Sequence, residues 1–288
     1  MVRVSDAQPV VSIAAMGSPP RSARDHELLF LAAIRHAWMI PVSRPHHERQ
    51  SAEALVDVAG VAPGKQVLDV ATGAGYVAAV AARRGAHAIG LDFSSAQVVL
   101  GRATFAAVEF RQGDAEQLPF DADTFDAVVI GFGVNHLPHP ERAFLEAFRV
   151  LKSGGVLAFT VWAATRPGEG FGIVLSAIET HGLPVELPPA PPYFRFADAD
   201  EARRALEQAG FVQPQTRIVE QFWHHDTPHQ VFDAFNEGAV RATVMLRSQP
   251  EHAREKIRAA VRGQVEGLRD GDAYVIRVPV ALSWAGKP

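Results

Sequence analysis

The chain has 288 residues, no cysteine, and 28 Lys and Arg against 32 Asp and Glu, which leaves a net charge of −4. These numbers exclude a basic field for nucleic acid, disulfides and a cysteine zinc site, and they favour one large α/β domain in the cytoplasm. No apolar run approaches the roughly 18 residues of a membrane span, and the short apolar patch near the N-terminus lacks the pattern of a signal peptide.

The first 60 residues are predicted to precede the main domain. Residues 1–22 mix Ser, Pro, Gly and Ala without periodicity, so we expect a flexible arm. Apolar residues recur at helical spacing over 24–40, and a second helix is predicted at about 50–60. Residues 23–60 are therefore expected to form a helical cap segment.

Residues 61–288 are predicted to form the main domain, in which strands and helices alternate at first. Strands are predicted at 67–71, 87–93, 108–115, 125–133 and 156–162, and helices at 75–84, 95–104 and 140–151. The segment KSGG is expected to be a turn before the fifth strand. Such alternation implies parallel strands joined by right-handed crossovers.

The second half of this domain is predicted to carry two insertions, at 163–200 and 226–270, of which the first is rich in Pro and Gly. The remaining helices are predicted at 171–181, 198–209, 228–246 and 250–267, and the remaining strands at 216–224 and 275–284. We therefore expect a Rossmann-like α/β fold, with a seven-stranded, mostly parallel sheet, helices on both faces and an antiparallel last strand.

The turn after the first strand is the strongest indication of a ligand site. In VLDVATGAG (67–75), Gly73 and Gly75 let the backbone approach a ligand, and the following helix presents free N–H groups and a positive dipole end. The segment GAGYVA also matches the G-x-G-x-x-A form of the dinucleotide fingerprint. The turn alone therefore fits a nicotinamide dinucleotide as well as other nucleotide-like ligands.

Two further acidic residues follow strands of the predicted sheet. Asp92 ends the second strand, where a carboxylate can accept from both ribose hydroxyls. Asp114 and Ala115 follow the third strand, where a carboxylate and a backbone N–H can meet the edge of an adenine. Each carboxylate has a simpler interpretation, Asp92 as the anion at a helix N-terminus and Asp114 as a turn residue.

Several motifs in order give the chain a family resemblance over about residues 50–162. They are VLDVATGAG, GLDFS, GDAEQLPF and FDAVVIGFGVNHLPHPERAFLEAFRVLKSGG. The chain resembles the class I S-adenosylmethionine-dependent methyltransferases, in particular the branch of the ubiquinone/menaquinone C-methyltransferases (methyltransferase type 11). The resemblance implies S-adenosyl-L-methionine as cofactor.

The resemblance also implies a cofactor site. Asp69 matches the acidic residue that orients the methionine amine, Asp92 matches the ribose ligand, and Phe93 lies beside the adenine. Ala71 departs from the pattern, because many members have glycine there. The cofactor-binding residues implied in this way are Asp69, Ala71, Thr72, Gly73, Gly75, Asp92, Phe93, Gly113, Asp114, Ala115, Gly131 and Phe132.

The candidate catalytic residue is His136, which follows the fourth strand at the edge where ligands bind in open α/β folds. It would act as a general base on the acceptor, although a packing role is the alternative. Aromatic residues of the cap and insertions are expected to cover an apolar acceptor. The expected acceptor-binding residues are Trp38, His136, Phe171 and Phe194. The histidine pairs lack the spacing of metal ligands, so no metal is expected.

The predicted function is methyl transfer to O, N or C of a small aromatic or lipid-like metabolite, with quinone-ring C-methylation as an alternative. From other classes, a nicotinamide-dependent oxidoreductase and a methyltransferase-fold cyclase stay open. The sequence has no Tyr-x-x-x-Lys pair, which argues against the oxidoreductase. The intact acidic and glycine positions argue against a protein that keeps the fold without catalysing a reaction. The expected partner is a small-molecule acceptor, and a homodimer is left open.

Overall fold

A seven-stranded sheet forms the centre of the computed structural model, which describes residues 49–163, 168–187, 192–238 and 240–288. Its strands in chain order are β1 (Gln66–Val70), β2 (His87–Asp92), β3 (Glu109–Gln112), β4 (Phe125–Gly131), β5 (Leu151–Trp162), β6 (Val212–Val219) and β10 (Val280–Gly286). The spatial order is β3-β2-β1-β4-β5-β10-β6, in which β10 is antiparallel to both of its neighbours. The predicted fold class is confirmed.

The predicted arm 1–22, the predicted helix 24–40 and Trp38 lie outside the described residues. The predicted second helix corresponds to α1 (Arg49–Val58). The other helices are α2 (Tyr76–Arg83), α3 (Ser95–Thr104), α4 (Pro140–Val150), α5 (Gly170–His181), α6 (Ala199–Gln208), α7 (His229–Gly238), α8 (Val240–Arg247) and α9 (Glu251–Glu266).

Helices cover both faces of the sheet. One face packs against α1, α2 and α3 through residues such as Leu55, Ala79 and Val98, and the other packs against α4 and α6 through Phe144 and Leu206. Because β1 and β4 are buried on both faces, they read in the sequence as nearly continuous apolar runs. This sandwich fixes the carboxyl ends of β1, β2 and β4 along one edge.

A third apolar cluster lies beside the main sheet, and we call the elements that form it the cap. They are α5, α7, α8, α9 and a small sheet of β7 (Phe222–His225), β8 (Arg269–Asp270) and β9 (Ala273–Arg277) in the order β7-β9-β8. Its buried side chains include Phe171, Phe235 and Ile257, and Trp162 joins it from the end of β5. The sequence did not predict this small sheet.

Two strands that the sequence predicts as single are each divided between the two sheets. The predicted strand 216–224 is wrong, because β6 ends at Val219 and β7 begins at Phe222. The predicted strand 275–284 is divided into β9 and β10 at Pro279, which has no N–H to donate to a ladder. The backbone of Val278 still donates to the carbonyl of Gln221 at 2.8 Å, so the paired strands continue as one bent ribbon.

Three smaller predictions also need correction. The segment KSGG is part of β5, as a bulge in which the six residues from Leu151 to Val156 oppose the three from Phe125 to Ala127 on β4, with Gly154 at a φ of 77°. The predicted third strand stops at Gln112, so Asp114 and Ala115 lie in the following loop. The predicted helix 228–246 is two helices, α7 and α8.

Candidate functional site

The turn between β1 and α2 has the backbone of a tight ligand loop. Ala71, Gly73 and Gly75 have φ angles of 53°, 56° and 94°, all in the left-handed region that favours glycine. A Cβ atom on Gly75 would also overlap the ring of Phe110. Gly75 is therefore required by its conformation and by its close packing, while Ala71 carries a side chain in a strained conformation.

Asp69 lies at the end of β1 and is 1% exposed. Its Oδ2 accepts from the hydroxyl of Thr72 at 2.5 Å and from the backbone N–H of Ala78 at 2.8 Å. Its Oδ1 is buried and has no hydrogen bond to any described residue. Burial raises the pKa of Asp69 to about 7, against the two hydrogen bonds, and the charge of Asp92 adds to this effect. A cationic or N–H-bearing group of a ligand in the turn would donate a hydrogen bond to this buried oxygen.

Asp92, at the end of β2, joins two loops at the carboxyl edge of the sheet. Its Oδ2 accepts from the N–H of Gly73 at 2.8 Å, and its Oδ1 accepts from the N–H of Ser94 at 2.8 Å. Burial raises the pKa of Asp92, and these two hydrogen bonds oppose the shift. The side chain of Ser94 then caps α3 by accepting from the N–H of Gln97. Asp92 thus lies just before the N-terminus of α3, where the simpler interpretation of the sequence put an anion, and it also holds the turn at Gly73 in place.

The loop after β3 comes next to Asp92, as the motif order suggested. The N–H of Gly113 donates to the carbonyl of Asp92 at 3.0 Å. Asp114 is exposed and its Oδ1 accepts from the N–H of Glu116 at 2.8 Å, whereas Ala115 is buried. Phe93 is 59% exposed beside these loops. An exposed aromatic ring at this edge is available to cover a flat ligand group.

The segment after β4 turns towards the cap. Gly131 has no room for a side chain, because a Cβ there would lie 2.9 Å from Val77. Phe132 has a φ of 56°, its N–H donates to the carbonyl of Thr160 at 3.1 Å, and its ring stacks on Trp162 at 4.1 Å between centroids. The ring of Phe132 therefore belongs to the apolar cluster of the cap.

His136 ends a short 3₁₀ helix, Val134–His136, after the same strand. The centroid of its ring lies 5.8 Å from that of Tyr193. Burial lowers the pKa of His136 to about 4, and the positive charge of Arg241 lowers it further. Burial raises the pKa of Tyr193 to about 12. At neutral pH the site therefore holds a neutral imidazole, which can accept a proton, and a protonated phenol.

Phe171 is the centre of an aromatic group on the cap side of the site. Its ring centroid lies 4.8 Å from that of Phe235, 5.2 Å from that of Trp162, and 5.9 Å from those of Tyr193 and Phe194. Phe194 also lines an open surface depression of about 760 Å³. The predicted residues Phe171 and Phe194 are therefore brought together with His136 through Tyr193.

The sequence predictions missed several residues of this region. Trp162, Thr160 and Arg241 were not chosen as site residues, although the position of Trp162 at the end of the fifth strand was a usable signal. Other histidines lie elsewhere: His139 is exposed before α4 and His181 is exposed at the end of α5. Among the described residues, no group of three His, Asp or Glu side chains is placed to hold a metal ion. Within the same residues, no helix has the length and apolarity to cross a membrane.

Comparison with known proteins agrees with the geometry. The family described as "Methyltransferase domain" matches residues 68–159. A demethylmenaquinone methyltransferase of Clavibacter sepedonicus is 46% identical over 100 residues, which are 33% of this chain and 41% of that protein. The chain thus spans about two fifths of the length of that relative.

Two further comparisons extend over more of the chain. An uncharacterized protein of Mycobacterium bovis is 32% identical over 206 residues, covering 68% of this chain and 73% of that protein. The structure of Haemonchus contortus phosphoethanolamine N-methyltransferase 2 in complex with S-adenosyl-L-methionine has the same fold, with a TM-score of 0.53, 16% identity, and coverage of 93% of this chain and 60% of that one. Residues 68–159 belong to the family of the methyltransferase domain. The chain has the fold of the class I S-adenosylmethionine-dependent methyltransferases.

Proposed function

We propose that the protein transfers a methyl group from S-adenosylmethionine to a small-molecule acceptor. The observation that carries this proposal is the turn from Asp69 to Gly75, which combines a buried carboxylate oxygen without a donor, left-handed backbone positions and the carboxylate of Asp92. All of these lie within the part of the chain that matches the methyltransferase family.

The residues present fit this cofactor. The Oδ1 of Asp69 would be satisfied by the ammonium of the methionine part, and the free N–H groups at the start of α2 would face its carboxylate. Asp92 would take the ribose hydroxyls, and Phe93 would cover the adenine. When bound, the cofactor supplies a methyl group already activated on a sulfonium. The protein then contributes mainly orientation and exclusion of water.

The acceptor side is proposed to lie between His136 and the aromatic group around Phe171. His136 is neutral at neutral pH, so it would accept the proton of an acceptor hydroxyl, amine or activated carbon. Phe171, Tyr193 and Phe194 would hold the body of an aromatic or lipid-like molecule by apolar contact. The role of His136 is that of a catalytic base.

Quinone-ring C-methylation is supported by the demethylmenaquinone methyltransferase among the relatives. This support is limited to the part of the chain with the proposed cofactor site, because the family match ends at residue 159 and the cap follows it. We therefore propose the broader acceptor class of small aromatic or lipid-like metabolites. We also propose that the protein acts in the cytoplasm. A homodimer is a further prediction, which light scattering would test.

The experiment is a titration of the full chain with S-adenosylmethionine, its demethylated product and NADH. We expect micromolar binding of the first two and none of NADH. Asp92→Ala should weaken that binding by about 1.5–3 kcal/mol or more, because charge-assisted hydrogen bonds are lost, while Asp272→Ala, at an exposed position in the turn before β9, should not. Binding of NADH without S-adenosylmethionine would refute the proposal.

Turnover is tested with phenols, quinones, amines and fatty acids as acceptors. Each methyl transfer should add one methyl group to the product and release one molecule of demethylated cofactor. A new product without release of demethylated cofactor would indicate a cyclisation instead.

A further inference from the structure

Gln97 carries a buried side-chain amide in the first turn of α3. The residue is 2% exposed, and neither the Oε1 nor the Nε2 of its amide has a hydrogen bond to any described residue. A buried amide without hydrogen bonds costs free energy, because its donors and its acceptor have been removed from water. A ligand group that donates to this amide and accepts from it would remove that cost.

The usual structural role of a glutamine at this place is already filled by another residue. In the sequence Ser-x-x-Gln at a helix N-terminus, the serine oxygen accepts from the glutamine N–H, and the glutamine side chain accepts from the serine N–H. The first bond is present, from the N–H of Gln97 to the hydroxyl of Ser94 at 3.4 Å. The N–H of Ser94, however, donates to Oδ1 of Asp92 at 2.8 Å. The amide of Gln97 therefore does not cap the helix.

The position of Gln97 on α3 directs its side chain towards the carboxyl edge of the main sheet. Gly101 lies one turn later on the same face of α3, and a Cβ there would overlap the ring of Phe110. A Cβ on Gly75 would overlap the same ring, so this face of α3 faces the turn after β1. Helical side chains point back towards the N-terminus of their helix, and α3 begins beside Asp92. The amide of Gln97 therefore lies on the side of the proposed cofactor site.

The hydrogen-bonding pattern of this amide matches one part of the proposed cofactor. A primary amide presents an acceptor oxygen beside an NH₂ donor. The edge of adenine presents the complementary pair, the N6 amino donor beside a ring nitrogen that accepts, and glutamine can bind this pair through two hydrogen bonds. The carboxylates of Asp69 and Asp92 only accept when they are ionised, so they cannot donate to the ring nitrogen.

We propose that Gln97 recognises the adenine of S-adenosylmethionine through two hydrogen bonds, one with the N6 amino group and one with an adjacent ring nitrogen. The inference rests on the proposed function, because it assumes that the cofactor binds at the turn from Asp69 to Gly75. It deepens that function by naming a residue that selects the base of the methyl donor. Gln97 is then a specificity-determining residue for the cofactor.

The test compares S-adenosylhomocysteine, which is the demethylated cofactor, with its 6-desamino analogue, which carries purine in place of adenine. Binding of each ligand to the full chain is measured by calorimetry. Gln97→Met keeps the approximate volume of the side chain and removes both hydrogen bonds, so it should weaken binding of S-adenosylhomocysteine by about tenfold or more. The analogue offers only one of the two bonds, so the same substitution should weaken its binding by about threefold.

Gln221→Met is the matched control. Gln221 is 1% exposed, and its amide also has no hydrogen bond to a described residue, but it follows β6, at the opposite edge of the main sheet from β3. This variant should leave both affinities unchanged. An unchanged affinity of Gln97→Met for S-adenosylhomocysteine, or an equal weakening of the two ligands, would overturn the assignment. A wild type that does not bind S-adenosylhomocysteine would instead refute the proposed function.

Discussion

Ala71 shows how one side chain can be strained by the loop in which it stands. Its φ of 53° is in the left-handed region, and its Cβ lies so close to Gly133 that a Cβ added there would be 2.7 Å away. Many members of the family have glycine at this position, and the conformation gives the reason. The turn keeps its shape because Asp92 and Thr72 hold it from both sides.

We predict that Ala71→Gly raises the free energy of unfolding by about 0.5–1 kcal/mol, because relief of the left-handed strain exceeds the added entropy of the unfolded chain. Ala259→Gly, at an exposed position inside α9, should lower it by about 1 kcal/mol. Urea denaturation measures both. The same sign for the two variants would contradict the assignment of strain to Ala71.

The raised pKa of Asp69 makes stability depend on pH. Its ordinary value of 3.8 rises to about 7 in the folded protein, so folding favours the protonated form. The stability from this group is fully present below about pH 4 and is lost as the pH rises through about 7. Other groups add their own pH dependence, so the comparison must be made with a variant that lacks this carboxyl.

We therefore predict that the free energy of unfolding of the wild type without cofactor falls more steeply between about pH 5 and pH 8 than that of Asp69→Asn. Urea denaturation at several pH values gives both slopes. Equal slopes would show that Asp69 is already ionised in the folded protein.

His136 is expected to affect turnover without affecting cofactor affinity. Because its pKa is about 4, the imidazole is neutral throughout pH 6–8 and should produce no titration step there. His136→Ala should lower kcat by about 100-fold or more, as for loss of a general base, whereas His181→Ala, at an exposed position, should not. Full activity of His136→Ala would show that the transfer needs orientation of the substrates alone and no base at this position.

The sequence could predict the residues proposed to bind the cofactor better than those proposed to bind the acceptor. Asp69, Gly73 and Asp92 lie in contiguous motifs, so local spacing is enough to identify them. The rings of Phe132 and His136 depend on what the chain brings against them from β5, the cap and the segment at Tyr193. Those contacts join residues far apart in the chain, and no local pattern encodes them.

At the scale of elements, α5 is anchored by one aromatic side chain. Phe171 is 5% exposed and its ring meets four other aromatic rings. We predict that Phe171→Ala lowers the free energy of unfolding by about 3–5 kcal/mol, because it leaves a cavity among rigid rings. Phe93→Ala, the same change at a side chain that is 59% exposed, should cost less than about 0.5 kcal/mol. Similar losses in denaturation experiments would contradict the central position of Phe171.

The alternation of strands and helices up to β5 was predictable, because strands buried on both faces and glycine turns leave clear local patterns. The division of 216–224 into β6 and β7 was not, since the break at Glu220 and Gln221 carries no glycine or proline. Pro279 was visible in the sequence, but its effect is a bend between two sheets, and the second sheet depends on pairing between β7 and β9.

At the scale of the whole molecule, the cap and the main sheet share the bent ribbon formed by β6–β7 and β9–β10, so we expect them to unfold together. Trp162 and Trp223 report on the cap and Trp284 on the main sheet. Tryptophan fluorescence and far-ultraviolet circular dichroism should give coincident transitions. S-adenosylmethionine at about 100 times its Kd should shift both by the same amount, equivalent to about 2.7 kcal/mol. Separate transitions would show that the cap is an independent unit.

The bent ribbon also limits how the proposed acceptor preference of this protein can be re-engineered. In many enzymes a specificity module is inserted at a single loop and can be exchanged by cutting two nearby points. Here β6 continues into β7 and β9 continues into β10, so residues 222–277 lie in the chain between two neighbouring strands of the main sheet. A graft from a homologue would have to preserve the register at Val219 and Val280 as well as the bend. New acceptor preferences should therefore be easier to select by substitution within the cap than by its replacement.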